Sequence, residues 1–179
     1  EVWITGTGGE QELPEFRERM LPSEFWNLDW GKLGAMDVVF HKAANNDTTL
    51  LDRAEMFRVN TEETLKLFEQ AVAHGCRRIV YASSCSVYGD LPAPYREEGP
   101  VRPLNPYAES KVALDERAMA FARAHPAVTV VGLRYSNVYG PRENRKGKRA
   151  TMIYQFAQQM LQGNPRLFAF GEQTRDYVY

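Results

Sequence analysis

The sequence predicts an α/β protein built on a doubly wound parallel sheet, and three observations point there. Strand-like and helix-like segments alternate along the chain. The strand-like ones are short and nearly continuous in Val and Ile, as suits strands buried on both faces. The helix-like ones each carry one apolar stripe. At 179 residues, 44% hydrophobic and 25% charged, the chain has the length and composition of one domain with a core.

Glu1–Thr5 is a β-prone run leading into Gly6-Thr-Gly-Gly9. Met36–Phe40 is a second, broken by His41-Lys-Ala-Ala44, and Arg78–Ala82 a third, broken by Ser83-Ser-Cys-Ser86. Val128–Leu133 is the last. Between them, Asn60-Thr-Glu-Glu63 reads as an N-cap with Glu at the third helical position. The stripe Leu65, Phe68, Ala71 and Val72 follows, and Gly75 stops that helix. Leu114, Ala118, Phe121 and Ala122 mark the helix after Pro106. Ile153, Phe156, Ala157, Met160 and Leu161 mark another before Gly163. Leu91–Pro106 holds five prolines in sixteen residues and reads as a surface loop.

Charge and composition exclude several classes of function. Lys and Arg number 22 against 23 Asp and Glu, a net charge of −1, so the basic excess of a nucleic-acid or anionic-membrane binder is absent. No apolar run approaches the roughly 20 residues of a membrane helix. Cys76 and Cys85 are too few for a disulfide framework, and no signal peptide opens the chain, so the expected compartment is the cytoplasm. His41, His74 and His125 are scattered, which argues against a zinc site. The chain opens at Glu1 and stops in the β-prone Asp176-Tyr-Val-Tyr179, which reads as a fragment incomplete at both ends.

In open parallel sheets ligands bind at the carboxyl ends of the strands. Here those ends are small or polar: Gly6–Gly9, Ala43-Ala-Asn45, Ser83–Ser86 and Tyr135-Ser-Asn137, a set able to converge on one extended nucleotide. Tyr107-Ala-Glu-Ser-Lys111 puts a phenol and an ammonium on one helix face. A tyrosine near pKa ~10 is a poor base at neutral pH, and a fixed cation beside it favours the phenolate. Ser84, at a strand end, can hydrogen-bond a substrate hydroxyl or developing alkoxide.

Ser84 together with Tyr107-x-x-x-Lys111 resembles the extended short-chain dehydrogenase/reductases, the NAD(P)-dependent nucleotide-sugar epimerases and dehydratases. The resemblance continues through Phe40-His-Lys-Ala-Ala44, Asn60, Leu133-Arg-Tyr-Ser-Asn-Val-Tyr-Gly-Pro-Arg142 and Arg175-Asp-Tyr-Val-Tyr179. It implies a Rossmann-like dinucleotide-binding domain over 1–179, with 142–179 beginning the substrate-binding part. The implied catalytic set is Ser84, Tyr107 and Lys111. Cofactor contacts would come from Gly6, Gly9, His41, Ala43, Ala44, Asn60, Tyr107, Lys111 and Val138. Ser84, Asn137 and Arg175 would bind a nucleotide sugar, and the cofactor would be NAD or NADP. The enzyme would be a homo-oligomer, with neither nucleic acid nor membrane as partner.

Asn46-Asp-Thr-Thr49, Gly140-Pro-Arg-Glu-Asn-Arg-Lys-Gly147 and Arg166-Leu-Phe168 are similar to the ADP-glycero-manno-heptose 6-epimerase subfamily, in which a Lys at the position of Lys146 is a second acid/base. Arg142, Arg145 and Arg149 would promote proton loss there by repulsion, and would equally serve a loop that attracts a diphosphate. UDP-glucose 4-epimerases match nearly as well at Ser84, Tyr107 and Lys111. A dehydratase would carry an Asp-Glu pair where this chain has Cys85-Ser86. The opening glycine motif departs from the family: Glu12 stands at its third glycine, and the stretch from Gly6 to His41 is too short for the usual second strand with its acidic ribose contact. The alternative readings are a nucleotide-sugar dehydratase or reductase of the same superfamily and a truncated, non-catalytic nucleotide-binding fragment. His125 reads as structural, as does the ring of His41, and Cys85 as packing.

Overall fold

The computed structural model describes residues 4–5, 20–21, 28–48, 52–167, 169–172 and 174–179. Strands β1 (Ile4–Thr5) and β2 (Met20–Leu21) pair in parallel. A one-turn helix α1 (Trp30–Leu33) precedes β3 (Val39–His41). Helix α2 (Arg53–Phe57) runs through a π-helical turn at Arg58–Glu63 into α3 (Thr64–Ala73), and β4 (Arg78–Ser84) follows. A 3₁₀ turn at Cys85–Tyr88 and the proline loop lead to α4 (Pro106–Ala124) and β5 (Thr129–Tyr135). Strands β3, β4 and β5 form a parallel sheet in that order, with Phe40 opposite Val80 and Val80 opposite Val131.

Helices α3 and α4 cover one face of this sheet. Phe68 and Ala71 from α3 and Leu114 and Ala118 from α4 pack with Ile79 and Tyr81 of β4, all buried. The opposite face carries Phe40, Val131, Leu133 and Tyr135, and Phe40 is 65% exposed. The expectation of strands buried on both faces is thus corrected: among the described residues, β4 alternates buried and half-buried positions, because the packed helices lie on one side.

The helix ends follow their sequence chemistry in α4, where Asn105 Oδ1 accepts from Ala108 N at 2.8 Å and Pro106 takes the first turn. Gly75, at φ +92°, ends the helix before β4 as expected. Asn60 does not cap that helix. The helical path begins earlier, at Arg53, where Asp52 accepts from Glu55 N at 3.0 Å, so Asn60 falls inside the π turn and its amide turns to other segments. Gly89 (φ +60°) lets the chain pass the proline loop: a Cβ there would lie 1.9 Å from the Arg102 carbonyl oxygen.

Three further differences concern the flanks. Met20–Leu21 forms a two-residue strand in the stretch between Gly6 and His41, which is too short for the usual second strand with its acidic ribose contact. Helix α5 (Met152–Gln162) forms where its stripe places it, yet none of its described residues is buried, and Leu161 is 81% exposed. Finally β6 (Asn137–Val138) and β7 (Tyr177–Val178) pair in parallel, which sets the Arg175–Asp176 segment beside Asn137.

Candidate active site

The site lies at the carboxyl end of β4 and the first turn of α4. Tyr107 stands near the start of α4, and Ser110 Oγ donates to its carbonyl at 2.7 Å. Lys111, one turn on, is only 2% exposed. Its Nζ donates to the Ala82 carbonyl at 2.8 Å and lies 5.8 Å from the centre of the Tyr107 ring. The Ser84 hydroxyl is within hydrogen-bonding reach of the Tyr107 phenol and accepts from Ser86 N at 3.2 Å. A strand end, a helix face and an interstrand carbonyl therefore bring Ser84, Tyr107 and Lys111 together.

Burial pushes the Tyr107 phenol up, and the Ser84 hydrogen bond offsets part of that. Here the expectation that Lys111 favours the phenolate is corrected. The ammonium faces the ring and the Ala82 carbonyl, so desolvation decides and Tyr107 holds its proton more firmly than a free tyrosine. Burial lowers Lys111 to about 8, against the opposing pull of Asp115. His41 falls to about 4, through burial first and then the charges of Lys111 and Lys42. The His41 imidazole is thus neutral near pH 7, and its Nε2 is hydrogen-bonded to Thr64 Oγ1 at 3.0 Å.

Asn60 is fully buried. Its Oδ1 accepts from Asn45 N at 2.8 Å, while Nδ2 donates to Asn45 O at 2.9 Å and Ser110 Oγ at 3.1 Å. Every polar atom of its side chain is engaged with protein, so it supports the loop after β3 rather than facing a cofactor. Ala43 and Ala44 lie in that loop, Ala43 exposed and Ala44 half-buried. His125 closes α4, stacked on Phe121 with ring centres 4.1 Å apart. Gly6 and Gly9 lie outside the described residues.

The substrate-side candidates gather on the β6–β7 pair. Asn137 Nδ2 donates to Asp176 O at 3.1 Å, and Arg175 is exposed. Asp176 lies near enough to Cys85 for its charge to add to the burial that raises the thiol. Lys146 is ion-paired with the buried Glu143 and donates to the carbonyl of Val138 at 2.9 Å. That carbonyl is therefore engaged by protein, and the nearest charge to Lys146 is an anion rather than the arginines of its loop.

Sequence reasoning missed two groups at the same edge. Lys42 Nζ donates to Tyr135 Oη at 2.6 Å beside the end of β4, a pairing across 93 residues that no local signal reveals. Asp115 continues the Tyr107–Lys111 spacing by one more turn, and that periodicity could have found it.

A parallel sheet with crossover helices and a Ser-Tyr-Lys cluster at its carboxyl edge defines a Rossmann-like α/β protein, and solved structures agree. The ADP-L-glycero-D-manno-heptose-6-epimerase of Helicobacter pylori superposes with a TM-score of 0.80 at 37% identity, covering 95% of this chain and 55% of that one. UDP-glucuronic acid 4-epimerase from Bacillus cereus, solved with UDP-glucuronic acid and NAD, gives 0.77 at 30% identity over 97% of this chain and 55% of that one.

The chain belongs to the NAD dependent epimerase/dehydratase family, whose model matches residues 28–179. It is 41% identical over 157 residues to the ADP-L-glycero-D-manno-heptose-6-epimerase of Alkalilimnicola ehrlichii, covering 82% of this chain and 47% of that protein. The chain thus spans about half the length of that relative.

Proposed function

We propose that the protein epimerises a nucleotide-linked sugar with NAD(P), and that an ADP-linked heptose is the first substrate to test. The observation that carries this reading is the placement of Ser84, Tyr107 and Lys111 at one strand end. The donor set suits a dinucleotide: a phenol and an ammonium at the sheet edge for ribose and nicotinamide, and small residues at 43–44 after β3. Bound NAD(P) would supply a transient hydride acceptor that returns the hydride to the opposite face, so the centre inverts without net redox change.

The residues do the rest. Burial holds the phenol protonated in the free protein; the positive ring of bound NAD(P) would add to the Lys111 cation and favour the phenolate, which takes the proton of the reacting hydroxyl while Ser84 holds that oxygen by hydrogen bonding. Lys146 acts as the second acid/base on the other face of the sugar. Asn137 and Arg175 hold the nucleotide sugar from the β6–β7 pair.

Incubating the protein with NAD and ADP-linked heptose, with the epimer ratio read by proton NMR, tests the reading. Conversion that falls by two or more orders of magnitude in Tyr107→Phe is expected, about the contribution of a general base. Undiminished conversion in Tyr107→Phe overturns the assignment.

A further inference from the structure

One turn beyond Lys111, a charged network ties α4 to β4 and β5. Asp115 follows Lys111 by four residues and Tyr107 by eight, so the three share one helix face. Its Oδ1 accepts from the Tyr81 hydroxyl of β4 at 3.0 Å, and its Oδ2 from Arg134 Nε of β5 at 3.1 Å. Arg134 in turn donates to Tyr88 Oη at 2.8 Å and to the Glu97 carbonyl of the proline loop at 3.2 Å. Both carboxylate oxygens are thus held from the sheet, and the anion cannot rotate away from the helix face it shares with Lys111.

Among the described residues, few titratable groups act on the Lys111 ammonium. Asp115 and the Tyr107 phenol come from its own helix, and the neutral His41 from β3. Burial removes the water that would otherwise stabilise the ammonium, so a fixed anion on the same face is the compensating group.

We propose that Asp115 is a positioning residue that keeps Lys111 an ammonium, with the Tyr81 hydroxyl orienting its carboxylate and Arg134 competing for its charge. The proposal rests on the reading that Lys111 works as a cation beneath Tyr107, but its test does not need turnover. With lysine labelled at ¹³Cε, the Lys111 signal, identified by its loss in Lys111→Arg, is followed through a pH titration.

The wild-type midpoint is expected near 8. Asp115→Asn lowers it by about one pH unit, and Asp115→Glu restores it. Arg134→Gln moves it the opposite way, because a competing cation beside Asp115 is gone. Opposite signs in the two variants are not what general loosening of the fold produces. An unchanged midpoint in folded Asp115→Asn, or shifts of the same sign in both variants, overturns the proposal. Should Asp115→Asn not fold alone, it is combined with Arg134→Gln, which removes the guanidinium left unpaired: a midpoint below that of Arg134→Gln supports the proposal, and an equal midpoint overturns it. If the midpoints move as stated while the wild type shows no epimerisation, the failure lies with the proposed function and not with Asp115.

Discussion

Gly132 stands opposite Tyr81 in the β4–β5 ladder, and a Cβ on it would meet Tyr81 Cζ and Oη at 2.4 Å. The missing side chain is the space through which the phenol reaches Asp115. Gly132→Ala should therefore destabilise the protein by about 1–3 kcal/mol, the usual cost of overpacking a buried site. Urea unfolding of the two proteins measures it. Equal midpoints at equal slope would show that the ring has room to move.

Asn105 caps the helix that presents Tyr107. Asn105→Ala should cost about 0.5–2 kcal/mol, the range for losing an N-cap. Because the phenol sits within the first turn, turnover should fall as well, while Asp52→Ala, which removes the cap of α2, should lower stability with less effect on rate.

His41 makes stability depend on pH. Its folded value, about 4, lies below the ordinary 6.5, so as pH falls the unfolded chain takes up the proton first. The stabilisation is complete above about pH 6.5 and is lost as pH drops toward 4, a change of about 3 kcal/mol over the window. Guanidinium unfolding at pH 7 and pH 4.5 should show a steeper loss in the wild type than in His41→Gln. Parallel losses would mean that other groups carry the acid sensitivity.

Lys146→Met separates catalysis from binding at the proposed second acid/base. A loss of two or more orders in kcat with KM held is expected for a proton-transfer group. A rise in KM alone would make Lys146 a binding residue and would favour a reaction that works with Tyr107 as its sole acid/base.

Much of the site was legible because its signals are local. The Tyr107–Lys111 spacing, the Asn105–Pro106 start and the apolar run of β4 depend on residues within a few positions of each other. Asn60 was misread because its partners, Asn45 and Ser110, lie 15 and 50 residues away and outcompete its own helix for the amide. The strand at Met20–Leu21 is too short for any periodicity to announce it. Periodicity identified an apolar face on α5, but such a pattern carries no information on what lies against that face. The rise at Tyr107 escaped for a related reason: spacing placed a cation one turn away, whereas the direction of its ammonium depends on the Ala82 carbonyl of a strand distant in sequence.

The Asn60 amide has a mechanical meaning beyond its hydrogen bonds. One side chain grips the backbone on both sides of Asn45 and the hydroxyl of Ser110, which itself holds the Tyr107 carbonyl. Strand-end loop, π turn and the first turn of α4 are thereby coupled as a single lever. On the proposed reading of Tyr107 as the base, a ligand seated against the loop at 43–45 touches the same hydrogen-bonded chain that holds the Tyr107 carbonyl, so its fit at one strand end bears on proton transfer at the next.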